Sequence, residues 1–522
     1  MSGPLRRERA IEVALIVGVM GIAAALVAAG VRVMEEDGFY YLKIAQNVAA
    51  GRGSTFDGLH ATNGYQPLWL VCLVPIFWLG LSTEGVVAAA ALAQAALLAG
   101  AAVLLFRVAR ANGLPPGPAA LAGCVWVELI IRTGLSGVEF SLTATLVAAV
   151  ALQLSRNSGP AAPSPRACAV MGLLLGLAIL SRLDTSLLAL LVAIEWSARA
   201  RGRPGAAARL AALAAPPLLV GAGYALVNAA AFGSPWPVSG AAKRVWSIYL
   251  LATDPVYRAH GWLAAKAWQL TWPLRHPLAL AMPSMLACAG VCGLLWSRGP
   301  EQLRILLRRL RPLVVFAVLQ PVVYALVYHG HYSWAPWYYV AQPLLSALLA
   351  GAIAHTLLPA LPLRLPVAVP AGACVVLLAG FATGGSPRPP QAEEPLYVAA
   401  RWARNHLEPQ ARVGSWNAGA IGFLSGRQVV NLDGVVNTFA YLERDQYDLC
   451  DYWDRTGITY LVDVFEAGEG SSEMKGASLP VSSFYASCAD RLQLVWSEPR
   501  AGNPGWPKAF RITSKTDRPP GP

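Results

Sequence analysis

The run from Ile11 to Val33 is almost wholly apolar, and runs like it recur along the chain. A spanning helix needs about 20 mostly apolar residues, with a range of about 17–25. After the first run, the segments that approach or meet this length are 84–108, 117–133, 138–155, 166–181, 183–198, 206–230, 276–297, 311–328, 334–356 and 365–382. Charged residues make up only 13% of the chain and hydrophobic ones 56%, where a soluble protein carries roughly a quarter charged. The chain is therefore expected to fold inside a membrane. The first run is longer than the core of a cleaved leader, about 7–15 residues, and reads as a retained helix with a cytoplasmic N-terminus.

Basic residues set the threading. With "RRER" inside, the other inside ends carry Arg107 and Arg110, Arg156 and Arg166, "ARARGR", "RILLRRLR" and Arg364. All fall on one side, as the positive-inside rule requires of about eleven spans. The net charge of +12 is thus a topology signal rather than a phosphate-reading face, and nucleic acid is not an expected partner. One segment, "YQPLWLVCLVPIFWLGL" at 65–81, would break the alternation if it spanned. It is expected to lie along or dip into the outer interface, where its prolines and tryptophans suit.

Residues 1–382 read as the transmembrane domain, with a first outer loop at 34–83. A linker follows at 383–394, in the Gly/Pro-rich "GGSPRPPQAEEP". Residues 395–522 have soluble character and read as a small α/β domain on the extracytoplasmic side. "ARVGSWNAGAIGFLSGRQVVNLDG" gives strand, Gly-rich turn, helix, strand, and "GITYLVDV" a further strand. Cys450 and Cys488 lie in this part and, if it is extracytoplasmic, can pair. The other cysteines lie in apolar segments and read as small core residues.

The threading gathers unusual residues on the outer face: Glu35, Glu36 and Asp37; Glu139; Arg182 and Asp184; Lys243 and Arg244; His329 and His331. Acids, cations and aromatics beside lipid suit an amphiphilic substrate with a charged head. Carboxylates can take a proton from a hydroxyl, and cations can stabilise a departing phosphate. Plainer readings stand beside these. Asp37 can be simply solvated, Glu139 a helix cap, Arg182 with Asp184 an internal ion pair, and Lys243 a snorkelling interface marker. The histidines have no evident third metal ligand. Trp337 and its neighbours suit an aromatic belt, or one of them a sugar platform.

"EEDGFYYLKIAQNVAAGRGSTFDGLHATNGYQPLW" resembles the first outer loop of bacterial GT-C glycosyltransferases. "SGVEFSL" is similar to that superfamily's second acidic motif, and "GLLLGLAILSRLDTSLL" to its Gly-rich helix ending in Leu-x-Arg-x-Asp. The group includes aminoarabinose transferases, protein O-mannosyltransferases and arabinofuranosyltransferases. The resemblance implies an α-helical polytopic bundle of about 11–13 transmembrane helices, with juxtamembrane helices and a periplasmic C-terminal domain. It also implies a polyprenyl-phosphate-linked sugar as donor, a cell-envelope glycan, lipid or protein as acceptor, and a place in the bacterial inner (plasma) membrane.

The motif's leading aspartate falls on Glu36 and its second acid on Asp37, so either can be the base; Asp37 is favoured, because Asp is the commoner residue in that role. Glu139 would be the second acid. Tyr40, Lys43, Arg182, Lys243 and His331 are the candidates for the donor phosphate, and Asn63, His329 and Trp337 for the substrate. The base removes the acceptor proton as its oxygen attacks C1 opposite the phosphate, with inversion. No cofactor is expected to be obligatory, since Arg and Lys can neutralise a phosphate monoester; some members use a divalent cation (Mg or Mn). Two other classes fit part of the pattern. A lipid-linked sugar flippase would place polar residues near the midplane, and an inactive sensor or assembly protein would look much the same.

Overall fold

The computed structural model describes residues 3–30, 34–159, 161–253, 266, 301–327, 335–357, 394–466, 486–499 and 505–513. The expected spans 276–297 and 365–382, the linker up to residue 393, and His329 and His331 lie outside them. The helices through the first half of the chain are α1 (Gly3–Ala28), α2 (Glu36–Ala49), α3 (Pro67–Leu73), α4 (Thr83–Ala111), α5 (Pro116–Gly134), α6 (Phe140–Arg156), α7 (Pro165–Ser181), α8 (Ser186–Ala200), α9 (Ala206–Phe232) and α10 (Val238–Thr253). Glu301–Arg309, Arg311–Val327 and Ala341–Leu357 follow. By length and composition Leu5–Ala28, Thr83–Ala111 and Ala206–Phe232 can each cross a membrane, and Glu301–Arg309 with Arg311–Val327, bent by 71°, passes jointly. Segments α5, α6 and α7 are shorter apolar helices.

The chain forms two compact units, each discontinuous in sequence. The first comprises Met1–Ala28, Ala91–Tyr224 and His260–Pro387. Its apolar runs form helices because only a helix satisfies its own backbone in lipid. Ala341–Leu357 packs on α5 closely enough that a Cβ at Gly351 would stand 2.7 Å from the Pro118 carbonyl. Basic residues hold one end of these helices together. Arg107 and Arg110 pair with Glu12 and Glu8, each at 2.7 Å. Arg199 donates to the carbonyls of Asn157, Gly159 and Ala161, and Arg309 to that of Ala111 at 2.9 Å. The separation of the expected segments 166–181 and 183–198 matches the break at Arg182, whose extended backbone (φ −160°, ψ 121°) ends α7 before a short turn leads into α8.

The second unit comprises Ala29–Ala90, Ala225–Ala259 and Arg388–Pro522. Its centre is a five-stranded sheet of β1 (Arg412–Ser415), β2 (Gln428–Asn431), β3 (Tyr460–Glu466), β4 (Leu492–Ser497) and β5 (Gly505–Ile512), in the order β2-β1-β3-β5-β4. β1 lies parallel to both β2 and β3, whereas β5 joins β3 and β4 antiparallel. Strands β4 and β5 were not among the expected elements: three residues of β4 in a row are exposed, so its pattern lacks the alternation that marks a half-buried strand. The chain passes from β1 through helix Ala418–Leu424 to β2, then back across to β3. Strand β1 thus lies between its two parallel partners, and the carboxyl ends of all three strands fall at the same end of the sheet. Cys450 and Cys488 are joined by a disulfide, Cα–Cα 5.9 Å.

Candidate active site

The carboxyl ends of β1, β2 and β3 collect polar side chains. Asp463, buried on β3, accepts from Ser415 Oγ at 3.0 Å, the Trp416 and Asn417 backbone N–H groups at 2.7 and 2.9 Å, and Asn417 Nδ2 at 2.8 Å. Burial pushes its carboxyl up, and the Asn417 and Ser415 donors oppose the shift. Asp433, two residues past β2, accepts from the Val435 N–H at 2.8 Å. Burial pushes it up to about 7.

Helix α2 lies against this edge of the sheet. Two acids open it, as a helix N-terminus favours. Gly51, at φ +72°, follows its end where a left-handed residue stops the helix. Tyr40 Oη lies 3.2 Å from the Trp416 carbonyl and 3.3 Å from Asp433 Oδ2, and accepts from Asn431 Nδ2 at 3.3 Å. Both oxygens of Glu36 stand 3.2 Å from the Ala420 N–H. Burial pushes Glu36 well above the carboxylate range; the Ala420 N–H opposes this, and the charges of Asp463 and Asp37 add to it. Asp37 is half-buried and accepts no hydrogen bond among the described residues, although its charge reaches Glu36, Tyr40 and Asp433.

A second cluster stands in the first unit. Arg182 is buried and forms an ion pair with Glu139, a bond to Asp184 Oδ1 at 3.2 Å and one to Tyr324 Oη at 2.9 Å. Its guanidinium lies 5.0 Å from the Tyr338 ring centre. Tyr324 Oη donates to Asp184 Oδ2 at 2.8 Å, and Gln320 Nε2 to the same oxygen at 2.5 Å. Glu139 occupies the cap position of α6, but its side chain makes no cap bond, because the carboxylate is turned to Arg182. Trp337 sits edge-on to Tyr338, with ring centres 6.2 Å apart.

Among solved structures, ArnT from Cupriavidus metallidurans, bound to undecaprenyl phosphate, is similar at a TM-score of 0.54 and 14% identity, over 97% of this chain and 99% of that one. The fold is that of the GT-C glycosyltransferases. The archaeal oligosaccharyltransferase AglB from Archaeoglobus fulgidus gives a TM-score of 0.45 at 14% identity, over 97% of this chain and 75% of that one. Arabinofuranosyltransferase AftD from Mycobacteria gives 0.47 at 15%, over 96% of this chain and 41% of that one. Residues 390–505 match a family described as Domain of unknown function (DUF8728). No curated protein sequence matches the chain.

The remaining candidate residues serve varied ends. Lys43 Nζ donates to Gln46 Oε1 at 3.3 Å, and burial, with Arg52 adding, pushes it down to about 8. Asn63 is buried. It donates to Asn228 Oδ1 at 2.9 Å and the Trp236 carbonyl at 3.1 Å, and accepts from the Val238 N–H at 2.9 Å, so it fastens the entry to α10. Lys243 is half-buried on α10. Among the described residues no three His, Cys, Asp or Glu side chains come together in a way that could hold a metal ion. Asp433, Tyr324 and Gln320 escaped the sequence reading. Two signals mark them: an Asp-Gly turn closing an apolar strand, and polar residues four apart in an apolar helix, which must face the protein interior.

Proposed function

We propose that the chain is a membrane glycosyltransferase that moves a sugar from a polyprenyl-phosphate donor to an acceptor hydroxyl on the extracytoplasmic face, with Asp37 as general base. The GT-C fold supports the reaction class. The observation that carries the choice of base is the contrast among the acids: Glu36 is held by Ala420 and Glu139 by Arg182, while Asp37 accepts no hydrogen bond among the described residues. A base must be free to take a proton from its substrate. In the reaction the acceptor oxygen attacks C1, its proton passes to Asp37, and the C1–O bond to phosphate breaks, releasing polyprenyl phosphate with inversion at C1. The Cys450–Cys488 disulfide supports an oxidising, extracytoplasmic compartment for the C-terminal part. Exposed Val71, Trp78 and Leu79, beside the buried Trp69 and Leu73, support α3 and the turn after it lying on a lipid surface.

Detergent-purified protein, incubated with radiolabelled decaprenyl- and undecaprenyl-phosphate sugars, should release free polyprenyl phosphate from one donor. Asp37→Asn should abolish that release. Tight donor binding without turnover, alike in both proteins, would point instead to a flippase or a sensor.

A further inference from the structure

The two acids that open α2 are neighbours in sequence but differ in what holds them. Glu36 is bound by both carboxylate oxygens to the Ala420 N–H. Contact there is so close that a Cβ at Gly419 would stand 2.5 Å from the Glu36 backbone carbonyl oxygen and 2.7 Å from Oε1. Three and four residues on, Phe39 packs edge-on to Tyr397, with ring centres 5.5 Å apart, and lies 6.0 Å from the Phe423 ring, while Tyr40 reaches Asp433 and the Trp416 carbonyl. The first turn of α2 is therefore fixed through residues 36, 39 and 40 to segments between 397 and 433. Asp37 stands on that turn.

We infer that Glu36 is the positioning residue of the pair, and that the C-terminal segment around Gly419 and Ala420 sets where Asp37 stands. The inference rests on Asp37 being the base. It assigns the C-terminal α/β part a place in catalysis without contact with the reacting atoms. A base misplaced by about 1 Å costs about 100-fold in rate, and Gly419 is where such a displacement is easiest to impose. A methyl group there meets backbone, which cannot rotate aside.

The test measures kcat and donor KM for polyprenyl-phosphate release in Glu36→Gln, Glu36→Ala and Gly419→Ala, beside Asp37→Asn. The Gln amide oxygen can still accept from Ala420, so Glu36→Gln should lose no more than about threefold, the cost of weakening one hydrogen bond. Glu36→Ala should lose at least about tenfold and Gly419→Ala about 100-fold in kcat, with donor KM within about twofold. Folding defects alone would not give this split, nor rescue by Gln over Ala. The inference is overturned if Glu36→Gln falls as far as Asp37→Asn, or if Glu36→Ala keeps the wild-type kcat. Hydrogen exchange over residues 36–49 gives a second readout that needs no turnover: it should quicken in Glu36→Ala and stay slow in Glu36→Gln. If wild type releases lipid phosphate from no donor, the proposed function fails, and equal exchange in all variants would then overturn the clamp separately.

Discussion

Tyr40 Oη lies 3.3 Å from Asp433 Oδ2, although 393 positions of sequence separate them. The hydroxyl has one proton to give and two acceptors to choose from, the Asp433 carboxylate and the Trp416 carbonyl, while Asn431 donates to its oxygen. This small network joins the first loop to the carboxyl ends of β1 and β2.

Removing that hydroxyl should be felt. Tyr40→Phe leaves buried polar partners short of a hydrogen bond, which costs about 1–3 kcal/mol. The thermal midpoint of the purified protein is expected to fall by several degrees, and an unchanged midpoint would show that the network contributes nothing to stability.

Asp433 gives a pH dependence with a defined sign. Burial raises its folded-state value to about 7, above an unfolded value of about 4. Between these values the folded state binds more protons than the unfolded one, so stability is highest at the acid end and declines as pH rises towards 7. Midpoints measured from pH 5 to 8 should fall less steeply in Asp433→Asn than in wild type. Parallel profiles would refute this.

The Glu139–Arg182–Asp184 cluster should fail when one charge is removed and survive better when charges leave together. Arg182→Ala strands two carboxylates, and breaking a buried pair in this way costs about 3–5 kcal/mol. Arg182→Lys should recover only part of this, because an ammonium cannot serve Glu139, Asp184 and Tyr324 as the guanidinium fork does. Yield and midpoint of Arg182→Ala, Glu139→Gln and the double variant would form the cycle, and strictly additive losses would exclude coupling.

The disulfide closes a loop with a sequence separation of 38. Closing a loop of that size is worth about 3–4 kcal/mol in the chain-entropy description. Cys450→Ser with Cys488→Ser should lower the midpoint of the C-terminal part, and reductant should do so in wild type but not in the double variant.

Much of the helical architecture is legible in the sequence alone. Apolar runs of spanning length marked helices such as 84–108 and 206–230, which the structure carries as Thr83–Ala111 and Ala206–Phe232. The Gly-rich turn between two apolar stretches likewise marked the β1–helix–β2 unit. Pairs such as Arg107 with Glu12 were not readable, but the basic clusters already told which helix ends belong together. Strand β4 stayed hidden because three exposed residues in a row break its alternation.

What the sequence determined by itself is local: where the backbone must satisfy its own hydrogen bonds, where it turns, and which face carries acid. Hydrophobic period and turn chemistry are short-range, so a single chain displays them. What only the tertiary structure decided is which acid has a partner. Glu36 and Asp37 are adjacent and chemically near-equal, and nothing within α2 separates them. The difference comes from Ala420, 384 positions away from Glu36. A carboxylate's role depends on the donors that fold brings to it, and those lie far along the chain.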